Sequence, residues 1–85
     1  MEAPVEFAGG TGTTRDISTG GVYFTTAQPL RAGARLSIAI MLDDTIADMP
    51  VRTEYEGTIV RVDEKNGEIG VAVRIDRLRR PQMLQ

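Results

Sequence analysis

Residues 16–21, Asp-Ile-Ser-Thr-Gly-Gly, place a carboxylate, a hydroxyl and two glycines within one short segment. The carboxylate of Asp16 can accept two parallel N–H hydrogen bonds, and the hydroxyl of Ser18 can donate or accept one. Gly20 and Gly21 allow positive φ and let a ligand approach the backbone closely. This combination suits the edge of a flat ring that carries several N–H donors, such as guanine.

The same segment also has a simpler interpretation as a hairpin turn. Asp and Ser side chains often bond their own backbone in turns, and glycine is common there. Arg15, directly before the segment, can bind a phosphate or stack on a ring, or it can be a solvated charge at the end of a strand. From the residue types alone, both interpretations stay open.

The composition indicates one small domain and offers little for catalysis. The chain has 85 residues and contains neither Cys nor His, which excludes disulfides, a thiolate nucleophile and the commonest general base and metal ligand. Two carboxylate pairs, Asp43-Asp44 and Asp63-Glu64, fall in predicted loops without a partnering base, so we interpret them as solvated turns. We therefore expect no enzyme, no metal site and no cofactor.

Charge and hydropathy limit the partners and the compartment. A net charge of −2 argues against a nucleic-acid-binding barrel, and the few aromatic residues offer little for base stacking. No apolar run approaches the ~18 residues that a membrane-spanning helix needs. The acidic start, Met1 to Pro4, lacks the basic and apolar regions of a signal peptide. We expect a cytoplasmic protein without a membrane span.

Alternating apolar residues predict about six short strands that must position this segment. The clearest alternation places Leu36, Ile38, Ile40 and Leu42 on one face of a strand. No alternation of strands and helices appears, so a parallel sheet is not expected. Six strands around one aliphatic core favour a closed or nearly closed antiparallel β-barrel. The predicted strands comprise residues 5–8, 11–17, 22–26, 34–42, 51–63 and 69–75.

Several irregular positions carry predictions of their own. The side chains of Ile59, Val60 and Val62 cannot all face one core from a regular strand, so we predict a bulge or sharp coil near Gly57.

The predicted loops are residues 43–50 and 63–68, and Asn66-Gly67 supplies the left-handed turn of the second loop. Asp76 can cap a short C-terminal helical turn, although Pro81 would fit badly beyond its first turn.

Residues 14–24 read Thr-Arg-Asp-Ile-Ser-Thr-Gly-Gly-Val-Tyr-Phe and carry an Asp-x-Ser-x-x-Gly signature as Asp16, Ser18 and Gly21. In this signature, and in the order of glycines and strands that follows it, the chain resembles a PilZ domain over roughly residues 5–76. The matching downstream segments are Pro29-Leu30-Arg31-Ala32-Gly33 and residues 36–42, 57–62 and 69–73.

The resemblance implies a six-stranded antiparallel β-barrel that binds the bacterial second messenger cyclic di-GMP. It also implies that Asp16, Ser18 and Gly21 engage a guanine base, with Arg15 adding a stacking or phosphate contact. Such a module is coupled to an attached output domain or a partner protein. Ligand binding pulls a flexible upstream arm onto the barrel, which is an order–disorder switch.

The chain departs from the family pattern in one respect. The family carries an Arg-x-x-x-Arg segment ahead of the first strand, whereas residues 1–14 contain no Arg. We expect residues 1–85 to be a single domain taken from a longer protein that supplies this segment, or a natural variant without it.

Charge-assisted Arg bonds contribute about 1.5–3 kcal/mol each, so losing two predicts an affinity weaker by roughly two to four decades. The alternative function is a degenerate PilZ-type protein-interaction module that does not bind the nucleotide.

Overall fold

The computed structural model describes residues 2–44, 49–79 and 82–83, and the described chain is all-β. Within these residues the strands pair in the order β4-β1-β2-β3-β6-β5-β7, and a further pairing of β4 with β5 closes the first six into an antiparallel barrel. The predicted six-stranded barrel is therefore confirmed, with β7 added beside β5. The strands are β1 (Pro4–Phe7), β2 (Gly10–Ile17), β3 (Gly21–Thr26), β4 (Arg35–Asp44), β5 (Met49–Lys65), β6 (Glu68–Leu78) and β7 (Gln82–Met83).

The longest strand, β5, closes the barrel because its two halves pair with different neighbours. Residues 49–58 pair with β4, and residues 55–65 pair with β6. One coiled strand thereby joins both sides of the sheet, and the closure satisfies backbone groups that an open sheet would leave at its edges.

The core is aliphatic, with Phe24 at its centre and in contact with Phe7, the two ring centroids lying 5.6 Å apart. Its members alternate along the strands as the sequence predicts, so that one face of each strand is buried. The fully buried side chains of the largest volume are Phe24, Ile40, Ile59, Val5, Val71 and Thr14.

Bulges interrupt the ladders at three places in the described residues. In the β2–β3 ladder the register shifts between Thr14 and Asp16. In the β5–β6 ladder it shifts between Glu56 and Gly57 and again between Ile59 and Arg61. The bulge predicted near Gly57 is confirmed. The bulge at 59–61 explains how three neighbouring apolar residues fit into one strand, because Ile59 is buried, Val60 is exposed and Val62 packs against the core.

The predicted loops are shorter in the structure. Strand β4 continues to Asp44 and β5 begins at Met49, so Asp43 lies opposite Pro50 in the ladder rather than in an acidic loop. The pair Asp63-Glu64 likewise lies in β5, opposite Gly70 and Ile69. The second turn narrows to Asn66-Gly67, whose φ values of 55° and 78° confirm the predicted left-handed turn.

The prediction of a C-terminal helical turn is wrong within the described residues. Strand β6 continues through Asp76 to Leu78, and Arg79 N donates to Glu54 O at 2.8 Å. A short helix is marginal by itself, whereas this extended segment gains ladder hydrogen bonds to β5. Pro81 lies outside the described residues. In the part of the chain that the structure describes, no helix has the length and apolar character needed to cross a bilayer.

Candidate functional site

The turn between β2 and β3 is held by its own backbone and by β6. Ser18 N donates to Gly21 O at 2.9 Å, and Ile75 N donates to Gly20 O at 3.0 Å. Neither Gly20 nor Gly21 has positive φ, so the turn does not use the conformational freedom that we predicted for them. Gly21 instead allows a close approach to β6, since a Cβ there would lie 3.0 Å from Val73 O.

The hydroxyl of Ser18 is engaged within this turn. It donates to Gly21 O at 3.3 Å and accepts from Gly21 N at 3.2 Å. The simpler interpretation of the segment, a side chain bonded to its own backbone, therefore describes Ser18 well. A ligand can receive a hydrogen bond from this hydroxyl only if the bond to the Gly21 carbonyl opens.

Asp16 differs from Ser18 in both position and partners. It lies in β2, opposite Tyr23, rather than within the turn itself. Since the bulge at 14–16 interrupts the alternation, Arg15 and Asp16 are both exposed while Thr14 is buried. Among the described residues, the Asp16 carboxylate has no hydrogen-bond or ion-pair partner, so its acceptor sites face solvent.

A shallow depression of about 310 Å³ adjoins this carboxylate. It crosses the outer face of the barrel from the β2–β3 turn over β3 and β6 to β5. Asp16 and Arg74 supply its charges, and Val60 supplies exposed apolar surface. The lining residues are Asp16, Ser18, Gly20, Gly21, Val22, Tyr23, Val60, Ala72, Val73 and Arg74.

Arg74 is oriented by a carboxylate on its own strand. Its Nε donates to Asp76 Oδ1 at 2.9 Å, and Thr58 Oγ1 donates to Asp76 Oδ2 at 2.7 Å. The hydrogen bond from Thr58, followed by that from Arg74, holds the pKa of Asp76 below its ordinary value. Because Nε is the nitrogen engaged, the terminal nitrogens of Arg74 remain available to an anion.

Within the described part of the chain, one surface thus carries a carboxylate without a partner, an oriented guanidinium and an apolar side chain. In a comparison with known families, the PilZ domain model matches residues 2–85. The chain belongs to the PilZ domain family. No curated protein and no solved structure matches it.

Three of the four predicted site residues of this PilZ domain come together at the depression, and one does not. Asp16, Ser18 and Gly21 line it, whereas Arg15 does not. The guanidinium of Arg15 instead lies 3.5 Å from Glu2 and 3.7 Å from Glu68. A ligand contact by Arg15 would compete with two carboxylates, and the roles of all four residues stay predictions.

Three further residues of this PilZ domain line the depression although their sequence positions did not predict it: Tyr23, Val60 and Arg74. They reach the depression from three different strands, and only the register of those strands brings them beside Asp16. The sequence contained one indication: Ile59, Val60 and Val62 cannot all face the core from a regular strand, so one apolar side chain among them must lie on the outer face. No group of three or more potential metal ligands occurs among the residues the structure describes.

Proposed function

We propose that this PilZ domain is a regulatory module that binds cyclic di-GMP through the depression beside the β2–β3 turn. The observation that carries the proposal is the carboxylate of Asp16, which has no partner among the described residues and lies on the same concave surface as the oriented guanidinium of Arg74. Membership of a binding family, together with a site whose described residues offer recognition groups, supports binding.

The chemistry of the ligand matches the two charged groups. Guanine presents neighbouring N–H donors at one edge, and an ionised carboxylate can accept two such bonds in parallel. The ligand also carries two negative phosphates, for which the planar guanidinium of Arg74 is a suitable partner. Asp16 therefore reads the base in this proposal, and Arg74 balances the charge.

Ser18 has an indirect role in the proposed complex. Its hydroxyl is bonded to Gly21 in both directions, which fixes the turn that follows Asp16. This engagement favours the second candidate function, a protein-interaction module that has lost nucleotide binding. The two candidates make opposite predictions for the nucleotide.

We expect the 85-residue chain to bind weakly because it lacks an Arg-x-x-x-Arg segment. In a protein that carries such a segment ahead of the barrel, binding would order the segment over the ligand and so reorient an attached domain or partner protein. A sub-micromolar dissociation constant for the 85 residues alone would contradict this part of the proposal.

Titration calorimetry with cyclic di-GMP tests the proposal on two proteins: the 85-residue chain, and the same chain preceded by the sequence encoded upstream of Met1. We expect tighter binding by the longer protein if that sequence contains the arginine segment. Asp16→Asn should weaken binding by about tenfold to a hundredfold, as expected for a charge-assisted hydrogen bond.

Glu64→Gln is the matched control, since it removes the same charge from an exposed carboxylate that does not line the depression. If the two substitutions weaken binding equally, the loss comes from the change in net charge and not from a specific contact of Asp16. Absence of binding by both folded proteins would favour the interaction module.

A further inference from the structure

We propose that Val60 is a specificity-determining contact of this site, packing against the flat face of a purine whose edge is bonded by Asp16. This inference rests on the proposed function and deepens it. It assigns the selection of a bicyclic ring to an apolar side chain on β5, far in sequence from the Asp-x-Ser-x-x-Gly signature.

The ladder leaves Val60 without a partner. Ile59 lies opposite Val73 and Arg61 lies opposite Ala72, so the bulge places Val60 between two rows of paired residues. Its side chain is 52% exposed. An isolated exposed apolar residue is ordinary on a protein surface, and exposure alone assigns nothing to it.

The surroundings of Val60 distinguish it from such a residue. It shares the depression with a carboxylate that has no partner among the described residues and with the guanidinium of Arg74. An apolar surface flanked by a few convergent polar groups is the usual composition of a small-molecule site.

The strand register gives the distance that a ligand must cover. Asp16 pairs with Tyr23, Tyr23 with Ala72, and Ala72 with Arg61, which is next to Val60. This row crosses four strands, and its ends are about three strand spacings apart, roughly 14 Å. A ring bonded to the Asp16 carboxylate must therefore extend over β3 and β6 towards Val60, and a bicyclic ring covers more of that span than a single ring does.

The neighbouring side chains keep this path open. Of the two residues in the middle of the row, Ala72 has only a methyl group, and the ring of Tyr23 extends over Gly70, where an added Cβ would collide with the Tyr23 hydroxyl. Arg61 does not line the depression; its Nε donates to Asp63 Oδ2 at 3.0 Å, and its guanidinium lies 5.9 Å from the centre of the Tyr23 ring. Val60 is thus the apolar side chain of β5 that a ring in the depression can contact.

A nitrogen-15 NMR titration of the 85-residue chain with cyclic di-GMP tests the inference, because this method measures weak dissociation constants. Val60→Thr keeps the branched shape and replaces one methyl group with a hydroxyl, and we expect binding about fivefold weaker. Val60→Ile retains the apolar contact and should bind like wild type.

Leu78→Thr is the matched control, since Leu78 is 59% exposed and does not line the depression. We expect it to leave the affinity unchanged. Thermal unfolding should be unaltered by the substitutions at Val60, which would separate a lost contact from a loss of fold.

The outcomes separate the two proposals. If Asp16→Asn weakens binding while Val60→Thr leaves it unchanged, the role of Val60 is overturned and the proposed function stands. Equal losses in Val60→Thr and Leu78→Thr would also overturn it. If neither the 85-residue chain nor the protein extended by the sequence encoded upstream of Met1 shows a shift at the depression with the nucleotide, the proposed function fails and the role of Val60 fails with it.

Discussion

Arg74 donates its Nε hydrogen to Asp76 Oδ1 across 2.9 Å, so a carboxylate on the same strand sets the direction of a guanidinium at the edge of the site. Thr58, on the neighbouring strand, donates to the other carboxylate oxygen at 2.7 Å. The three side chains link β5 and β6 on the outer face of the barrel. Their arrangement leads to predictions for both stability and binding.

Acidification should weaken the link between Asp76 and its two donors. The hydrogen bond from Thr58, and then that from Arg74, lowers the pKa of Asp76 from its ordinary value of 3.8. A carboxyl whose pKa is lower in the folded state stabilises that state above its unfolded pKa, and the stabilisation is lost as the pH falls through the folded pKa. The difference in unfolding free energy between wild type and Asp76→Asn should therefore be present at neutral pH and shrink below pH 3.8.

Urea unfolding at several pH values measures this difference, which should be small because the pair is exposed to solvent. Thr58→Val removes the largest cause of the lowered pKa of Asp76. In this variant, the stabilisation by the ionised Asp76 should therefore be lost over a narrower pH range. A difference that grows on acidification would contradict the assignment.

Arg74→Gln should weaken binding of cyclic di-GMP by about tenfold, since a charge-assisted contact is lost. The remaining affinity should also depend less on salt, because the lost interaction is between exposed charges. Arg61→Gln is the matched control: it removes an equal charge from a side chain outside the depression. Calorimetry at two salt concentrations would show the contrast, and equal losses in both variants would refute a specific role for Arg74.

At Gly57, β5 passes close to the backbone of β6. A Cβ on Gly57 would collide with the carbonyl oxygen of Arg74 and with Cγ1 of Val73, so Gly57→Ala should destabilise the fold by about 1–3 kcal/mol. Gly20→Ala places its methyl group in open space and should change stability by less than about 0.5 kcal/mol. Denaturant unfolding measures the unfolding free energy of both variants. Similar values would show that the backbone at Gly57 shifts enough to accommodate the methyl group.

Thr14 joins the segment before β1 to β2. Its Oγ1 accepts from Ala3 N at 2.8 Å, and its own N donates to Ala3 O at 2.9 Å. Thr14→Val removes the acceptor from a buried site and should cost about 1–3 kcal/mol of unfolding free energy. Hydrogen exchange at the Ala3 amide should then be faster, whereas Thr14→Ser should keep it protected. Unchanged exchange in Thr14→Val would show that another group serves Ala3.

The turn between β5 and β6 depends on left-handed backbone at two consecutive residues. Asn66 and Gly67 have φ values of 55° and 78°. Gly67→Ala should cost about 1 kcal/mol, because a side chain disfavours this region, whereas Asn66→Gly should be close to neutral. Thermal unfolding of the two variants measures the contrast. A neutral Gly67→Ala would mean that the turn changes type.

Local patterns in the sequence were sufficient for much of this fold. The alternation at Leu36 to Leu42 predicted a strand with one buried face, and Asn66-Gly67 predicted the tight turn, because both depend on neighbouring residues alone. The side chains of Ile59, Val60 and Val62 cannot all face the core from a regular strand, and this also predicted an irregularity in β5. The helical turn at Asp76 failed because pairing with a distant strand outweighed a local capping preference.

In the site, too, local features were predictable from the sequence, whereas features that depend on distant strands were not. The sequence by itself determined that Asp16, Ser18 and Gly21 share one segment, since their spacing is a local property. Only the tertiary structure decided that the hydroxyl of Ser18 is engaged, that Arg15 pairs with carboxylates, and that the surface beside Asp16 is completed by Val60 and Arg74. The physical reason is that hydrogen-bond register between strands distant in sequence, including the bulges within it, selects which side chains share an outer face.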